Sequence, residues 1–233
     1  AAESLVWLAD EIHRLRPQLG ALLPLSVSSN VEHFYTRTVD AVGDLREHMY
    51  KAVTRLLLNV NGYADKVEKV KWERKEMGME PSPYVNELLG EFRQFQTKLQ
   101  CASVTFDVAE LMWQYAVEAA GEELLEGFSR VKKCNNEGRA QMALDLQNVV
   151  SGVFHFLKAI NPSTAKRPNV QIVENYIKAF YLPETDILHW ACIHPEYSKR
   201  QIIALVNCIA SAQNWKRKAR DDLVKKIENG EME

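Results

Sequence analysis

Apolar residues recur in alternating steps of four and three from Val31 through Tyr35, Thr38, Val42, Leu45, Met49 and Ala52 to Leu56. On a helix that spacing collects them on one side, and such a stripe must be buried against other helices. The period returns at Met142, Leu146, Val149, Val153, Phe156 and Ile160, behind Asn135 and Asn136. Arg139, Gln141, Asp145, Gln147 and Asn148 are assigned to the remaining faces of that helix. No segment of strict alternation rivals these stripes, so the expected fold class is all-α, an elongated antiparallel helical bundle or bundles. The first repeat also fits an intermolecular coiled coil, but it is short, and its Thr and Ala favour a long helix inside a bundle.

Breakers and start signals divide the rest. Residues 4–15 predict a short amphipathic helix with Leu5, Leu8, Ile12 and Leu15 on one side, ended by Pro17, Gly20 and Pro24. Helical character is expected to continue past Leu56 to Trp72, with Asn61-Gly62 as a kink or break. Ser82 is placed as a cap, with Pro83 in the first helical turn, where its missing N–H costs nothing. Residues 103–124 are apolar nearly all round, which predicts a central helix. The run 161–169 is the clearest boundary. Four shorter helices are expected beyond it, one opened by a capping box from Ser198 to Gln201. The predicted organisation is a helix and linker over 1–28, a long-helix bundle over 29–161, and a short-helix bundle over 169–230 packed on it. Tyr176 and Trp190 should be buried where the last helices dock.

Composition narrows the function classes. Hydrophobic residues make up 46% of the 233 and charged residues 26%, which suits a globular core and not a disordered chain. A net charge of -2 argues against general affinity for nucleic acid. No apolar run approaches the roughly 20 residues that span a bilayer, and the opening residues do not read as a secretory signal. The chain does not begin with Met, which suggests a piece of a longer protein. Cys101, Cys134, Cys192 and Cys208 lack framework spacing and are expected as free thiols of a cytoplasmic protein.

Chemistry is sparse. His189, Cys192 and His194 lie close in sequence, but residues 189 and 194 point about 140° apart on a helix, and no second ligand pair is spaced to help. Phosphate-loop, dinucleotide, zincin and nucleophile-elbow motifs are absent. The reading therefore assigns no catalytic residue, no metal ligand, no cofactor and no small-molecule substrate. The candidate site is the basic cluster Lys216, Arg217, Lys218, Arg220, Lys225 and Lys226, a possible membrane or partner contact. Asp221, Asp222, Glu228, Glu231 and Glu233 in the same segment largely offset it.

Three blocks carry a resemblance. Phe128 to Met142 with Asp145 to Gln147, then Val173 to Asp186, then His194 to Gln201 with Leu205 to Asn207, are similar to the C-terminal domain of the syndetin family. The likeness is most distinctive over 127–224 and weaker over 28–99. It implies the specific subunit of the endosome-associated recycling protein complex (EARP), a tether related to the GARP complex and active in endocytic recycling. It also implies a rod of stacked helical bundles of the type shared by multisubunit tethers. The implied partners are the other subunits of the complex, with SNAREs, small GTPases or endosomal membrane as further contacts. The implied location is cytoplasmic, peripheral on recycling endosomes or trans-Golgi membranes. The resulting expectation is a non-enzymatic module that presents a partner surface. The alternatives are direct anionic-lipid binding through the basic cluster and a purely structural rod segment.

Overall fold

The computed structural model describes residues 2–76, 78–163 and 165–230, and among them every regular element is helical. The all-α expectation holds. Contacts group the chain into two compact units, Ala1–Leu57 and Leu58–Glu233.

In the first unit, α1 spans Ala2–Leu22 and contains Pro17. The expected break at Pro17 is therefore wrong. Pro17 forfeits one backbone hydrogen bond, which a helix of this length survives, and the helix stops where Leu23 precedes Pro24. After a short 3-10 turn, α2 (Ser28–Phe34) runs into a π turn at Tyr35–Val39, and α3 follows over Ala41–Leu57. The Asp40 N–H donates to Tyr35 O at 2.9 Å, the i to i+5 bond of that turn.

The π turn breaks the predicted seam. It inserts one residue, so Val39 follows Tyr35 inward in place of Thr38. Downstream, Thr54 is buried, whereas Leu45 and Leu56 face out, Leu56 at 82% exposure. Ala9, Tyr35 and Val39 form the small core, with Ile12, Val31 and Val42 against it. The Tyr35 hydroxyl donates to Ile12 O at 2.9 Å, and the Arg16 guanidinium lies over the Tyr35 ring at 4.7 Å. Of the expected face of α1, Ile12 packs on the core as predicted, whereas Leu5, Leu8 and Leu15 are exposed and Ala2 and Ala9 are buried instead.

The second unit begins with a turn at Gly62, whose φ of 83° suits glycine, and continues with α4, Tyr63–Glu68. Trp72, expected on a helix, lies in an irregular stretch and donates from Nε1 to Val67 O at 2.9 Å. Four helices follow: α5 (Pro83–Cys101), α6 (Phe106–Ser129), α7 (Asn136–Ile160) and α8 (Gln171–Ala179). The remaining three are α9 (Ile187–Ile193), α10 (Lys199–Ala212) and α11 (Arg217–Asn229). Packing pairs α5 with α7, α4 with α6, α8 with both α6 and α7, and α10 with α6 and α11. The central place expected for α6 is observed over most of its surface, but Glu110, Gln114, Glu118 and Glu122 leave one edge exposed.

Helix α7 organises this unit by two faces. Met142, Leu146, Val149 and Val153 are buried as predicted. Arg139, Gln141 and Asp145, assigned to outer faces, are buried too. The irregular residues 72–76 and 78–82 have no helix or sheet to satisfy their backbone, and side chains of α7 do so instead. Gln141 Oε1 accepts from Gly78 N (2.9 Å) and Arg74 Nη1 (2.7 Å), and its Nε2 donates to Glu80 O (2.9 Å). Asp145 Oδ1 accepts from Ser82 N (2.8 Å) and Gln141 Nε2 (3.0 Å). Asn135, the cap of α7, accepts from Gly138 N and Arg74 N and donates to Arg74 O. A Cβ at Gly138 would stand 1.7 Å from Trp72 O, so this close approach requires glycine. Ser82 occupies the position before α5, but its hydroxyl makes no cap bond; its N–H, held by Asp145, does the anchoring.

Aromatic packing fills the space between α5, α6 and α7. Trp113 stacks on Phe92 at 5.8 Å, meets Phe95 edge-on at 5.3 Å and lies 6.3 Å from Phe156. Such pairs contribute about 0.5–1.5 kcal/mol each beyond their burial. Tyr176 and Trp190 are buried as expected, and Trp190 stacks on Tyr197 at 4.9 Å. The capping box at Ser198 and Gln201 forms in both directions.

Candidate partner-binding site

The basic cluster sits on α11, and the structure divides it. Leu223 and Ile227 are buried, on the side of α11 that packs on α10, so the charged residues share what remains. Arg220 donates to Asp221 Oδ1 from Nε (3.0 Å) and Nη2 (2.6 Å), and Arg217 Nε lies 3.6 Å from Asp221 Oδ2. The Arg220 hydrogen bond, helped by Arg217 and Lys225, holds the Asp221 carboxyl below the usual carboxylate range. Lys216, Lys218 and Lys226 come together along an open groove of about 550 Å³, but Glu184 and Asp222 line the same groove. Three ammonium groups against two carboxylates do not make a one-sign surface. Glu231 and Glu233, counted with the offsetting acids, lie outside the described residues.

A larger groove, of about 610 Å³, runs along α6. Trp113, Val117, Gly121 and Leu125 come from one side of that helix, with Phe106 at its start. Leu157 and Ile160, in the last turn of α7, and Val170 and Ile172, at the head of α8, face them. The chain leaves α7 at Asn161 in an extended conformation and is pinned by Ala165 N donating to Asn161 O at 3.1 Å. That path carries Lys166 and Arg167 to one lip. The other lip belongs to α6, where Glu110, Gln114, Glu118 and Glu122 recur every four residues. At that step they share a face. The groove is therefore apolar within, acidic along one edge and basic along the other.

Reading α6 as apolar nearly all round missed this. The Glu110–Gln114–Glu118–Glu122 stripe was the available signal, since a wholly buried helix has no use for a polar edge. The facing lip offered no signal, because 161–169 reads only as a loop.

Two buried thiols form a separate cluster. Cys134, before α7, and Cys208, on α10, are buried near the guanidinium of Arg139, and Cys134 Sγ donates to Asn135 O at 3.3 Å. Arg139 stacks over the Phe180 ring at 4.3 Å, and its Nε and Nη1 make no hydrogen bond. The neighbouring Cys134, with Arg139 in support, lowers the Cys208 thiol to about 7, while the neighbouring Cys208 and burial push Cys134 up. All four cysteines carry free thiols. His189 and Cys192 are exposed, and His194 Nδ1 lies 2.7 Å from Glu196 Oε1. No group of three His, Cys, Asp or Glu residues among those described could hold a metal ion. No helix among them is long and apolar enough to cross a membrane.

The model of the family "Syndetin, C-terminal" matches residues 1–228. Syndetin of Rattus norvegicus is 36% identical over 236 residues, covering 98% of this chain and 24% of the rat protein. Syndetin of Mus musculus is 36% identical over 235 residues, 98% of this chain and 23% of its own length, and that of Gallus gallus gives the same identity over 236 residues. The chain thus spans about a quarter of the length of these relatives. With the family model matched over nearly its whole length, the chain belongs to the syndetin family, in the C-terminal part of it.

Proposed function

We propose that this chain is a non-enzymatic, partner-binding module of a vesicle-tethering complex subunit acting in endocytic recycling. Membership of the syndetin family supports the tethering role, and the α6 groove is the observation that carries the binding role. An apolar trough with oppositely charged lips is a surface that a packed bundle does not need for its own stability. It suits recognition of another protein, because opposed charges at the edges fix register and reject wrong partners. The partners in this reading are other subunits of the complex, with SNAREs and small GTPases as further candidates. The protein works at the cytoplasmic side of recycling endosomes as a peripheral component. The basic residues of α11 then serve as ordinary solvated helix surface.

The test replaces the exposed groove residue Phe106 with Asp in the full-length protein that carries this region, expressed in cells lacking the endogenous copy. Receptor recycling should stay defective although the variant accumulates to normal levels. Full restoration of recycling would overturn the assignment of the groove. A parallel variant with Lys216, Lys218 and Lys226 changed to Ala should restore recycling, and its failure to do so would return the function to α11.

A further inference from the structure

We infer that the exposed leucine face of α1 is covered, in the full-length protein, by an antiparallel helix from the part of the polypeptide that precedes it. Leu5, Leu8, Ile12, Leu15, Leu19 and Leu22 follow one another in alternating steps of three and four without a slip. Helix α1 is uninterrupted across them, over about 25 Å at the helical rise, and Pro17 lies on its opposite side. Ile12 packs on the small core of Tyr35 and Val39, whereas the five leucines are exposed, Leu22 at 81%.

The spacing names the kind of occupant. A helix packed in a globular core shows a broad apolar stripe of period 3.6, whereas a strict row of two in seven is the seam of a coiled coil. Such a seam is filled by a second helix, knobs into holes. A lipid surface fits less well. A helix lying on anionic lipid carries an excess of Lys and Arg, whereas α1 sets Glu3, Asp10 and Glu11 against Arg14 and Arg16.

The relatives name its source. This chain spans about a quarter of their length, and the matched family is their C-terminal part, so most of such a protein lies ahead of α1. A segment tethered there meets the seam at an effective concentration in the millimolar range, which a separate protein must match. Successive helices of a bundle are joined by short loops and pack as antiparallel neighbours. Apolar exposure also concentrates in the first unit, beside that junction. Outside it, Met79, Phe106, Tyr181 and Ile193 are the exposed large apolar side chains among the described residues. The seam is then a joint within the protein, and it does not depend on the assignment of the α6 groove.

The experiment places a benzophenone amino acid at Leu8, and separately at Leu19, in the purified full-length protein. Half of the protein is isotopically heavy, and the crosslinked peptides are sequenced by mass spectrometry. The expected crosslinks join peptides of one isotope and fall in one segment ahead of α1, with apolar residues at alternating steps of three and four. The contact of Leu19 should lie about eleven residues earlier in that segment than the contact of Leu8, because the two helices run in opposite directions. Leu15→Glu should cut both yields about tenfold while hydrogen exchange at Tyr35 and Val39 stays unchanged. Crosslinks of mixed isotope would assign the seam to a second copy and overturn the inference. Crosslinks within 58–233, crosslinks to a segment without that spacing, or none at either position overturn it as well. So does a yield indifferent to Leu15→Glu, and a Leu19 contact later than that of Leu8 overturns the antiparallel arrangement.

Discussion

The two units of the chain use the same helical vocabulary to different depths. In the second, α7 is buried by an apolar face and by a polar one, and large aromatic side chains close the space around it. In the first, Tyr35 and Val39 are the large residues fully inside, while Leu5, Leu8, Leu15 and Leu22 remain exposed on α1. Burial there falls to alanines, Ala2 and Ala9, which allow close approach but contribute little apolar area. Periodicity is nearly perfect in the first unit and more broken in the second. Regular spacing therefore announces a helix, but not how much of its stripe the chain itself covers.

The largest expected effect sharpens that contrast. Trp113→Ala should cost about 3–5 kcal/mol, since it removes a buried indole from between three phenyl rings. Urea unfolding of the variant should show a lower midpoint with unchanged slope. Next comes the polar face of α7. Asp145→Ala leaves Ser82 N and one bond of Gln141 Nε2 without their buried acceptor, a loss of about 2–3 kcal/mol. Hydrogen exchange should then accelerate at the backbone of 78–82, and unchanged exchange there would break the account of α7 as a clamp. In the first unit, Tyr35→Phe should cost only about 1 kcal/mol for the bond to Ile12 O. Leu22→Ala and Leu56→Ala should change stability by less than about 0.5 kcal/mol, and a larger loss would mean that the chain buries these residues in solution.

Fold class, the apolar face of α7 and the capping box at Ser198 were all readable from residue spacing, because each depends on local periodicity or a short-range bond. The π turn at Tyr35–Val39 was not. Its β-branched Thr36, Thr38 and Val39 only lower helix propensity slightly, and the extra residue shows itself in which side chains point inward. Arg139, Gln141 and Asp145 misled for a related reason. Polar residues at helical spacing suggest a solvent face until residues with no regular structure, here 72–76 and 78–82, need backbone partners. The basic cluster was visible as composition, but its pairing through Asp221 and its sharing of a groove with Glu184 depend on tertiary placement. The acidic stripe on α6 could have been found from sequence, whereas its basic counterpart arrives by the path of a loop.

The smallest expected effect concerns the buried thiols of the second unit. Cys208 ionises at about 7, below the roughly 8.5 of an unfolded thiol, so between these values the unfolded chain holds more protons and stability rises with pH. Above that window both unfolded thiols ionise, whereas folded Cys134 keeps its proton, so stability falls again. Thermal melts across pH 6.5 to 10 should show a shallow maximum that Cys208→Ser removes; a maximum unchanged in the variant would assign the effect elsewhere.

The central claim is that the α6 groove is where this module meets its partner, and hydrogen–deuterium exchange tests it most directly. The full-length protein would be compared alone, within its complex, and with vesicles containing phosphatidylserine. The account predicts slowed exchange at residues 106–125 and 165–172 in the complex, with no change at 216–226 on adding vesicles. Unchanged exchange along α6 in the complex, with protection appearing at 216–226 on vesicles, would contradict it and make α11 the working surface.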